Sequence, residues 1–434
     1  MGMKFWASRS VPEWHVPVLQ MAPAILPTSQ LAPAPRRVEV SRSQYRTQLN
    51  EAAYLVEPLS YDALLQHIPA WADLMTRTLE PNAFLEPSFA VAALQHFAFA
   101  RRPTFLLIWE ADGATERGRL IGLCPLFLPH FYDNRVARTW IHKQSTSGVP
   151  LLDSQRAMTT LMLVLDWLKS EHPKVRGLII PKLAKTGPTF GLLRAISTLR
   201  DLPLRLYDEH ERAYLPNHIN ADALLTRALR PKKLKELRRQ RRRLADDGAL
   251  TYRSSTTPDT IRDATELFLA LEERGWKGAR GTALLVDPHL ATFTRTMTRL
   301  MAREGKCRID SLDVGGVPVA MAIVLKSGNR AYFWKTAYDE TRAAQSPGVQ
   351  LTLELTRLQL DDASVASTDS CAIQNHSMIA KIWRHTMPIA DVLIGIQPHA
   401  TNEIEPVDVQ ERARRSLYDW AKSLYNRYRD FAKI

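Results

Sequence analysis

A regular pattern of apolar and polar residues begins only after about residue 50. Residues 1–50 are rich in proline, alanine, serine and glutamine and keep no period, which predicts a flexible tail outside the fold. Beyond that point, apolar residues recur with the spacing of an α-helix in several stretches. The predicted helices are 61–78, 88–98, 156–170, 229–244, 260–274 and 349–360.

Two further stretches have the pattern of antiparallel strands. TFLLIWEADGATERGRLIGLCPLFLP, residues 104–129, reads as two strands joined by a turn, and residues 308–338 read as three strands joined by Gly-Gly and Gly-Asn turns. The likeness of these units predicts two modules in tandem, at residues 51–213 and 214–434. Each module is predicted as a mixed, mostly antiparallel sheet flanked by helices, so the expected fold class is α/β (α+β).

A candidate anion site lies where the strand AYFWKTAYDE leads through RAAQSPG into the helical stretch VQLTLELTRLQL. The first turn of a helix offers free backbone N–H groups and the positive end of the helix dipole, and Gly348 stands at that point. Ser346 suits a cap and Pro347 suits the first turn. An ordinary turn before a helix is the alternative, but the arrangement favours a phosphate-bearing acyl donor.

The spacing from Gln345 to Gln350 partly matches the Gln/Arg-x-x-Gly-x-Gly/Ala loop with which GNAT acyltransferases bind the pyrophosphate of coenzyme A. Gln350 departs from that pattern, where a small residue is expected. Residues 213–394 further resemble the acyltransferase domain of CelD-like cellulose-biosynthesis proteins, a GNAT group related to the FemAB aminoacyl transferases. The resemblance is carried by Trp276-Lys277, by Lys335 to Asp339 and by Ser346-Pro347-Gly348.

That resemblance implies tandem GNAT-like domains and an acyl-CoA co-substrate, transferred directly within a ternary complex. The residues expected to contact the donor are Lys335, Gln345, Ser346, Gly348, Val349 and Gln350. Trp276 and Lys277 are expected to contact the acceptor or a phosphate. For Lys277, a salt-bridged lysine on the surface is the alternative.

Acyl transfer to an amine needs a proton acceptor, donors for the oxyanion and a group that assists the leaving thiolate. Tyr338 and Asp339 end the strand before the loop, so Tyr338 is a candidate donor to the leaving group and Asp339 a candidate proton relay. A core tyrosine and a turn cap are the alternatives. Both candidates would stand at the mouth of the cleft.

The next predicted strand ends in a polar cluster. Asp369 is a candidate acid, base or acceptor-binding carboxylate, and His376 is a candidate proton carrier. Capping of the following helix by Asn375 and Ser377 is the alternative. A thiol nucleophile at Cys371 would require a covalent intermediate, which is the less favoured route because strand-end cysteines are usually buried and inert.

The chain carries a formal net charge of +13 and a pI near 9.7, which predicts an acidic neighbour. Much of the charge lies in LTRALRPKKLKELRRQRRR, where the leucines have helical spacing and the basic residues form one face. The candidate partners of the segment from Arg230 to Arg243 are the 3'-phosphate of coenzyme A, a tRNA or an anionic envelope surface. A solvated helix face is the alternative.

The three cysteines, Cys124, Cys307 and Cys371, are far apart, and no metal-binding motif is found, so neither disulfides nor a metal are expected. No apolar run reaches the roughly 20 residues of a membrane helix, which predicts a cytoplasmic protein, with contact at the inner membrane face as an alternative. Apolar residues recur with helical spacing near the C-terminus. Packing on the domain is expected for them, and an interfacial helix is the alternative. They are Leu417, Trp420, Leu424, Tyr428 and Phe431.

Together these features predict a GNAT-type N-acyltransferase that moves an acyl group from acyl-CoA to an amine or hydroxyl. The acceptor, a small molecule or a polysaccharide or envelope precursor, is implied by the resemblance alone. Two other functions remain open. One is an aminoacyl-tRNA-dependent transferase of the FemAB type, and the other is a non-catalytic protein that binds anionic partners on a degenerate GNAT fold.

Overall fold

The computed structural model describes residues 45–49, 52–97, 102–112, 115–129, 135–217, 219–374, 376–398 and 401–431. The tail predicted at residues 1–50 lies outside these ranges except for 45–49, and so does the candidate cap Asn375. Residues 42–434 form one compact unit.

Fourteen strands and thirteen α-helices make up the described structure. The strands are β1 (Tyr45–Leu49), β2 (Ala52–Leu59), β3 (Thr104–Asp112), β4 (Thr115–Phe127), β5 (Val136–Thr139), β6 (Leu151–Leu152), β7 (Gly177–Ala184), β8 (Leu204–Pro216), β9 (Leu250–Ser255), β10 (Cys307–Val314), β11 (Val317–Ser327), β12 (Arg330–Tyr338), β13 (Ser367–Asp369) and β14 (His385–Gly395).

The helices are α1 (Tyr61–Leu64), α2 (Ile68–Thr76), α3 (Pro87–His96), α4 (Ala157–Glu171), α5 (Pro188–Arg200), α6 (Ala221–Ala228), α7 (Pro231–Asp246), α8 (Pro258–Arg274), α9 (Trp276–Ala279), α10 (Pro288–Arg303), α11 (Pro347–Asp361), α12 (Ile379–Ile382) and α13 (Thr401–Phe431). All six predicted helices are confirmed within a few residues. The stretch 61–78 is interrupted by a 3-10 turn at Leu65–His67, because Pro69 has no N–H to continue the helical hydrogen bonds.

One sheet runs through the described part of the chain in the order β1-β2-β3-β4-β5-β7-β14-β8-β13-β12-β11-β10-β9, and β6 pairs with β4. The pairs β5–β7 and β12–β13 are parallel, and the other pairs on this path are antiparallel. The predicted fold class, a mixed and mostly antiparallel sheet flanked by helices, is confirmed. The division at residues 213 and 214 stays a prediction, and β14 inserts between β7 and β8 of the first half.

Apolar residues pack on both faces of this sheet. One core cluster joins α2, α3, α8 and α10 through large side chains such as Trp71, Phe89 and Phe293. Two other clusters join α4 and α5 around Trp167, and α7 and α11 around Trp383. Helices therefore hold the strands from both sides and fix the positions of the strand ends.

A gap opens at the C-terminal end of β12. In the parallel pairing of β12 with β13, only Arg330–Tyr332 pair with Ser367–Asp369. After these residues the two segments separate. A bulge at Trp334 shifts the pairing of β12 with β11 and increases the local twist. Residues 333–338 therefore still pair with β11 on one side, whereas their other edge no longer pairs with β13.

Among the described residues, none of the helices combines the length and hydropathy needed to span a bilayer. Helix α13 packs through Ile404, Val407 and Glu411, whereas Leu417 and Trp420 are 64% and 61% exposed. The expectation that these apolar residues pack on the domain was therefore wrong for Leu417 and Trp420, which lie on a different side of the helix from the packed residues, and the side chains of Tyr428 and Phe431 lie outside the described residues.

Candidate active site

A cavity of about 610 Å³ occupies the gap between the separating strands. Its walls are formed by residues 333–338 of β12, residues 346–349 at the start of α11, and residues 370–373 and 376–379 after β13. The end of α8 and the start of α9 close the remaining side. The predicted residues Trp276, Lys277, Lys335, Tyr338, Ser346, Gly348, Val349 and His376 all line this one cavity.

Helix α11 begins at the cavity with unpaired amides. The first hydrogen bond within the helix runs from the Gln350 amide to the Ser346 carbonyl, at 3.1 Å, so the amides of Gly348 and Val349 precede it. Ser346 holds a left-handed conformation, with φ of 54°, and its side chain makes no capping bond. The predicted cap was wrong in this respect, since side-chain capping requires an extended backbone.

The hydrogen atoms of Gly348 face the cavity wall formed by Tyr338 and Met378. A Cβ atom at Gly348 would lie 3.4 Å from Tyr338 Cδ1 and 3.7 Å from Met378 Sδ. A small group fits there in ordinary contact, but a large side chain would fill the space beside the first turn of α11. An anion can therefore approach the free amides only while residue 348 stays small.

The two glutamines of the predicted loop do not line the cavity. Gln350 is 2% exposed and donates from Nε2 to the Leu237 carbonyl of α7, at 2.8 Å. This side chain is directed at α7, so its size does not obstruct the amides of α11. Gln345 likewise stands apart from the cavity walls, and its buried Oε1 has no hydrogen-bond partner among the described residues.

Two lysines and one glutamate form a charged cluster on the opposite wall. Lys277 Nζ donates to Glu272 Oε1 at 2.7 Å and to the Thr336 carbonyl at 2.9 Å. Burial, together with the positive charge of Lys277, lowers the pKa of Lys335 to about 8. The sequence did not predict Glu272 as a site residue, because no local motif distinguishes it from other glutamates near helix ends. Its position five residues before Lys277 was the one available signal.

His376 and Tyr338 add a neutral donor each. Burial, and then the Lys277 charge, lowers the pKa of His376 below its usual value, so the ring is neutral at pH 7. Its Nδ1 accepts a 3.4 Å bond from the Met378 amide, which leaves the proton on Nε2. Burial, and then the Glu340 charge, raises the pKa of Tyr338, so its hydroxyl keeps its proton.

The two predicted aspartates lie outside the cavity walls. Asp339 caps the 3-10 turn Glu340–Gln345, where its Oδ1 accepts from the Thr341 amide at 3.0 Å. Asp369 is 3% exposed and its Oδ2 accepts from Arg212 at 3.0 Å, while its Oδ1 accepts from the Cys371 amide at 2.8 Å. Both carboxylates are occupied by the protein, and their catalytic roles stay predictions without a contact to the cavity.

Cys371 lines the cavity beside Lys335. Burial, and then the Asp369 charge, raises the pKa of its thiol far above the usual range. Because the thiolate is the nucleophilic form, this environment disfavours covalent catalysis. The three cysteines within the described residues are free.

Trp276 stands at the outer edge of the cavity and is 42% exposed. Its amide donates to Glu340 Oε1 at 2.5 Å, and the Arg280 guanidinium lies 4.9 Å from the ring centroid. The indole is therefore an exposed aromatic surface at the edge of the cavity.

The basic helix α7 borders the loop that leads into α11. Gln240 Nε2 donates to the Ala344 carbonyl at 3.0 Å, and Arg342 pairs with Asp247 just after the helix. The face of α7 away from the core is exposed and basic, as predicted. Within the described ranges, its exposed residues Lys232, Lys235, Arg238, Arg239, Arg242 and Arg243 make no ion pair.

Comparison with protein-family models identifies the segment that contains these elements. Residues 231–367 match the family model described as Acetyltransferase (GNAT) domain. The GNAT match begins at α7, includes β12 and the start of α11, and ends at β13. It spans less than half of the 434 residues, and the search of curated proteins returned no match.

Solved structures of low sequence identity align with most of the chain. The C-terminal DUF2156 domain of an Agrobacterium fabrum protein described as a lysylphosphatidylglycerol synthetase is 13% identical, with 77% of this chain and 92% of that chain covered and a TM-score of 0.46. FemX is 11% identical, with 75% of this chain and 95% of the FemX chain covered and a TM-score of 0.48. A GCN5-related N-acetyltransferase from Kribbella flavida is 9% identical, with 79% of this chain and 71% of that chain covered and a TM-score of 0.29.

Proposed function

We propose that this protein transfers an acyl group from acyl-coenzyme A to an amine or hydroxyl by direct attack within a ternary complex. The observation that carries the proposal is the cavity where the free amides of Gly348 and Val349 meet Lys335, Tyr338 and His376. An anion site and proton-handling groups on one cavity are what transfer from a phosphate-bearing thioester requires. The match of residues 231–367 to the GNAT acetyltransferase domain supports it.

In this proposal the pyrophosphate binds the first turn of α11, and the thioester lies along residues 333–338, at the edge of β12 that no longer pairs with β13. The acceptor nitrogen attacks the carbonyl carbon, and the C–S bond breaks as the tetrahedral intermediate collapses. His376 donates its Nε2 proton in a hydrogen bond to the carbonyl oxygen as negative charge develops there.

Lys335 is the group suited to move the proton. With a pKa of about 8, a useful fraction of Lys335 is neutral near pH 7 and accepts a proton from the attacking amine. A thiol has a pKa of about 8.5, so the resulting ammonium can protonate the leaving thiolate. Tyr338, with its raised pKa, is too weak an acid for that step and instead donates a hydrogen bond to the sulfur.

Isothermal titration with acetyl-coenzyme A tests the donor site. Gly348→Trp fills the space beside Tyr338 and is expected to weaken binding at least ~100-fold, because the amides become inaccessible. Gly191→Trp is the matched control, since nothing lies within 4 Å of a Cβ atom at Gly191. Unchanged affinity in a folded Gly348→Trp variant would show that the phosphates bind elsewhere.

Turnover tests the chemistry separately from binding. Lys335→Met is expected to leave acetyl-coenzyme A affinity within ~3-fold of the parent and to lower the rate of thiol release, in the presence of an amine acceptor, by ~100-fold or more. The parent rate should rise with pH through about 8, as Lys335 becomes neutral. A variant with the parent's rate and pH profile would exclude Lys335 as the proton acceptor.

A second candidate, an aminoacyl-tRNA-dependent transferase, is favoured by one observation. The unpaired basic face of α7 adjoins the loop that leads into the cavity, where an RNA backbone would find several cations. The affinity for unfractionated tRNA should then fall steeply as the salt concentration rises, and the double variant Arg238→Glu, Arg242→Glu should abolish this binding. Thioester binding without tRNA binding supports the first proposal, and anion binding without any turnover supports a non-catalytic protein.

A further inference from the structure

An ion pair in the cavity contacts the free edge of β12. Its members are Glu272, near the end of α8, and Lys277 of α9, and both line the cavity. The Asp339 amide donates to the Val319 carbonyl of β11 at 2.9 Å, so by alternation along the strand Thr336 directs its backbone groups away from β11. The Lys277 ammonium reaches this free edge and donates to the Thr336 carbonyl at 2.9 Å.

Both ions of the pair are held in place. Glu272 Oε1 accepts from Lys277 Nζ at 2.7 Å, and Glu272 Oε2 accepts from the Leu284 amide at 2.8 Å. The side chains of Glu272 and Lys277 are only 2% and 21% exposed. Because water screens charges at such positions less than at the surface, each ion acts strongly on the groups near it.

The side chain of Lys335 lies on the same side of the sheet as this pair. Lys335 pairs with Ile323 of β11, and residues directly opposite each other on paired strands share one face. Ile323 is buried in the core cluster that contains apolar residues of α8, so Lys335 is directed toward the α8 side. Within the described ranges its ammonium makes no hydrogen bond or ion pair, and it lies 5.2 Å from the centroid of the Trp334 ring.

The charges of Glu272 and Lys277 act on Lys335 in opposite directions. Burial is the main reason that the pKa of Lys335 is lowered to about 8; the Lys277 charge lowers it further, whereas the Glu272 charge raises it. The other titratable groups on the cavity walls either are neutral at pH 7 or stand at the outer edge beside Trp276. The neutral groups are Cys371, His376 and Tyr338, and the group at the edge is Glu340.

We propose that Glu272 and Lys277 are positioning residues of the acyl transfer, a fixed pair of opposite charges that controls whether Lys335 can accept the proton of the attacking amine. The inference rests on the proposed function, because it concerns the proton acceptor of that reaction. Lys277 favours the neutral form of Lys335, and Glu272 holds Lys277 at the edge of β12 while limiting its effect. Loss of either residue breaks the same ion pair but changes Lys335 in the opposite sense.

Competitive acetylation of the full chain with trace acetic anhydride tests this difference without any turnover. Mass spectrometry of the labelled protein between about pH 6 and 10 gives the titration midpoint of Lys335. Lys277→Met removes the positive charge and should raise the midpoint by ~0.5 pH units or more, whereas Glu272→Gln removes the negative charge and should lower it. An ion pair with only a structural role predicts the same result for both variants.

Three variants complete the comparison. Glu273→Gln is the matched control, because Glu273 is an exposed neighbour of Glu272 that does not line the cavity, and it should leave the midpoint unchanged. Lys277→Arg keeps the charge and should keep the parent's midpoint. The double variant Glu272→Gln, Lys277→Met leaves no unpaired ion, which protects the fold, and should still raise the midpoint because the Lys277 charge acts more strongly on Lys335.

The pH dependence of thiol release should follow the labelling, moving to higher pH in Lys277→Met and to lower pH in Glu272→Gln. Midpoints that equal the parent's, or that shift in the same direction in the two single variants, would overturn the inference. A Lys335 that is not acetylated at any of these pH values would also overturn it. Oppositely shifted midpoints in a protein without turnover would instead refute the proposed function and leave the action of the charge pair on Lys335 supported.

Discussion

Substitutions in the buried ion pair of Asp369 and Arg212 can distinguish a structural role of Asp369 from a catalytic one. Asp369 was a candidate acid or base, but both side chains are only 4% exposed and bonded to each other. Asp369→Ala leaves the Arg212 guanidinium without its counter-ion, and the Cys371 amide loses its acceptor. Removing one partner of a buried ion pair costs about 3–5 kcal/mol, which is a large part of the roughly 5–15 kcal/mol that usually stabilises a folded domain.

Urea unfolding followed by circular dichroism measures this loss. The double variant Arg212→Met, Asp369→Leu should recover part of it, because an apolar pair of similar volume removes the uncompensated charge, while the Cys371 amide and the Thr146 carbonyl still lack their partners. Glu266→Ala provides the comparison, since Glu266 forms a half-exposed pair with Arg295 and should cost less than about 1 kcal/mol.

The rate of thiol release by the double variant then shows whether the Asp369 carboxylate is also needed for catalysis. If Asp369 is structural, the double variant should retain thiol release within ~5-fold of the parent at a temperature where it is folded. A double variant that is as stable as the parent but inactive would show that the carboxylate itself is needed. Unchanged stability of Asp369→Ala would refute the reasoning from burial altogether.

Three further outcomes follow from the same contacts. Gln350→Leu should lower the free energy of unfolding by about 0.5–1.5 kcal/mol in urea, because the Leu237 carbonyl within α7 loses its side-chain donor, and should leave acetyl-coenzyme A affinity nearly unchanged in calorimetry. Lys335→Met should raise stability at pH 7 by on the order of 1–3 kcal/mol. The pKa of Lys335 is about 8 in the folded protein and about 10.4 in the unfolded chain. Lys335 therefore destabilises the folded protein fully below pH 8, and this effect decreases as the pH rises toward 10.4. A stability gain of Lys335→Met that is independent of pH would contradict this reasoning. Cys371→Ala should retain turnover, and iodoacetamide at pH 8 should leave Cys371 unmodified in the native protein by mass spectrometry, whereas rapid alkylation would reveal a reactive thiolate.

Periodicity and turn residues were sufficient to predict about half of the helices, some of the strands and the fold class. The spacing of leucines in 349–360, the Gly-Gly turn before Val317 and the proline at the start of α11 are local signals, and each element formed where they indicated. The residues that line the cavity near the start of α11 were predicted for the same reason, since the free amides of a helix end depend only on neighbours in the chain.

Contacts between distant residues decided which polar groups reach the cavity. Asp369 meets Arg212 across 157 positions, and Gln350 meets Leu237 across 113, so neither partner can be read from local spacing. The pairing of Glu272 with Lys277 beside Lys335, and the rotation that leaves Leu417 exposed, likewise depend on how β12, α8 and α13 pack. Burial and long-range charge set the pKa values and the open surfaces, and both arise only when the strands and helices are assembled.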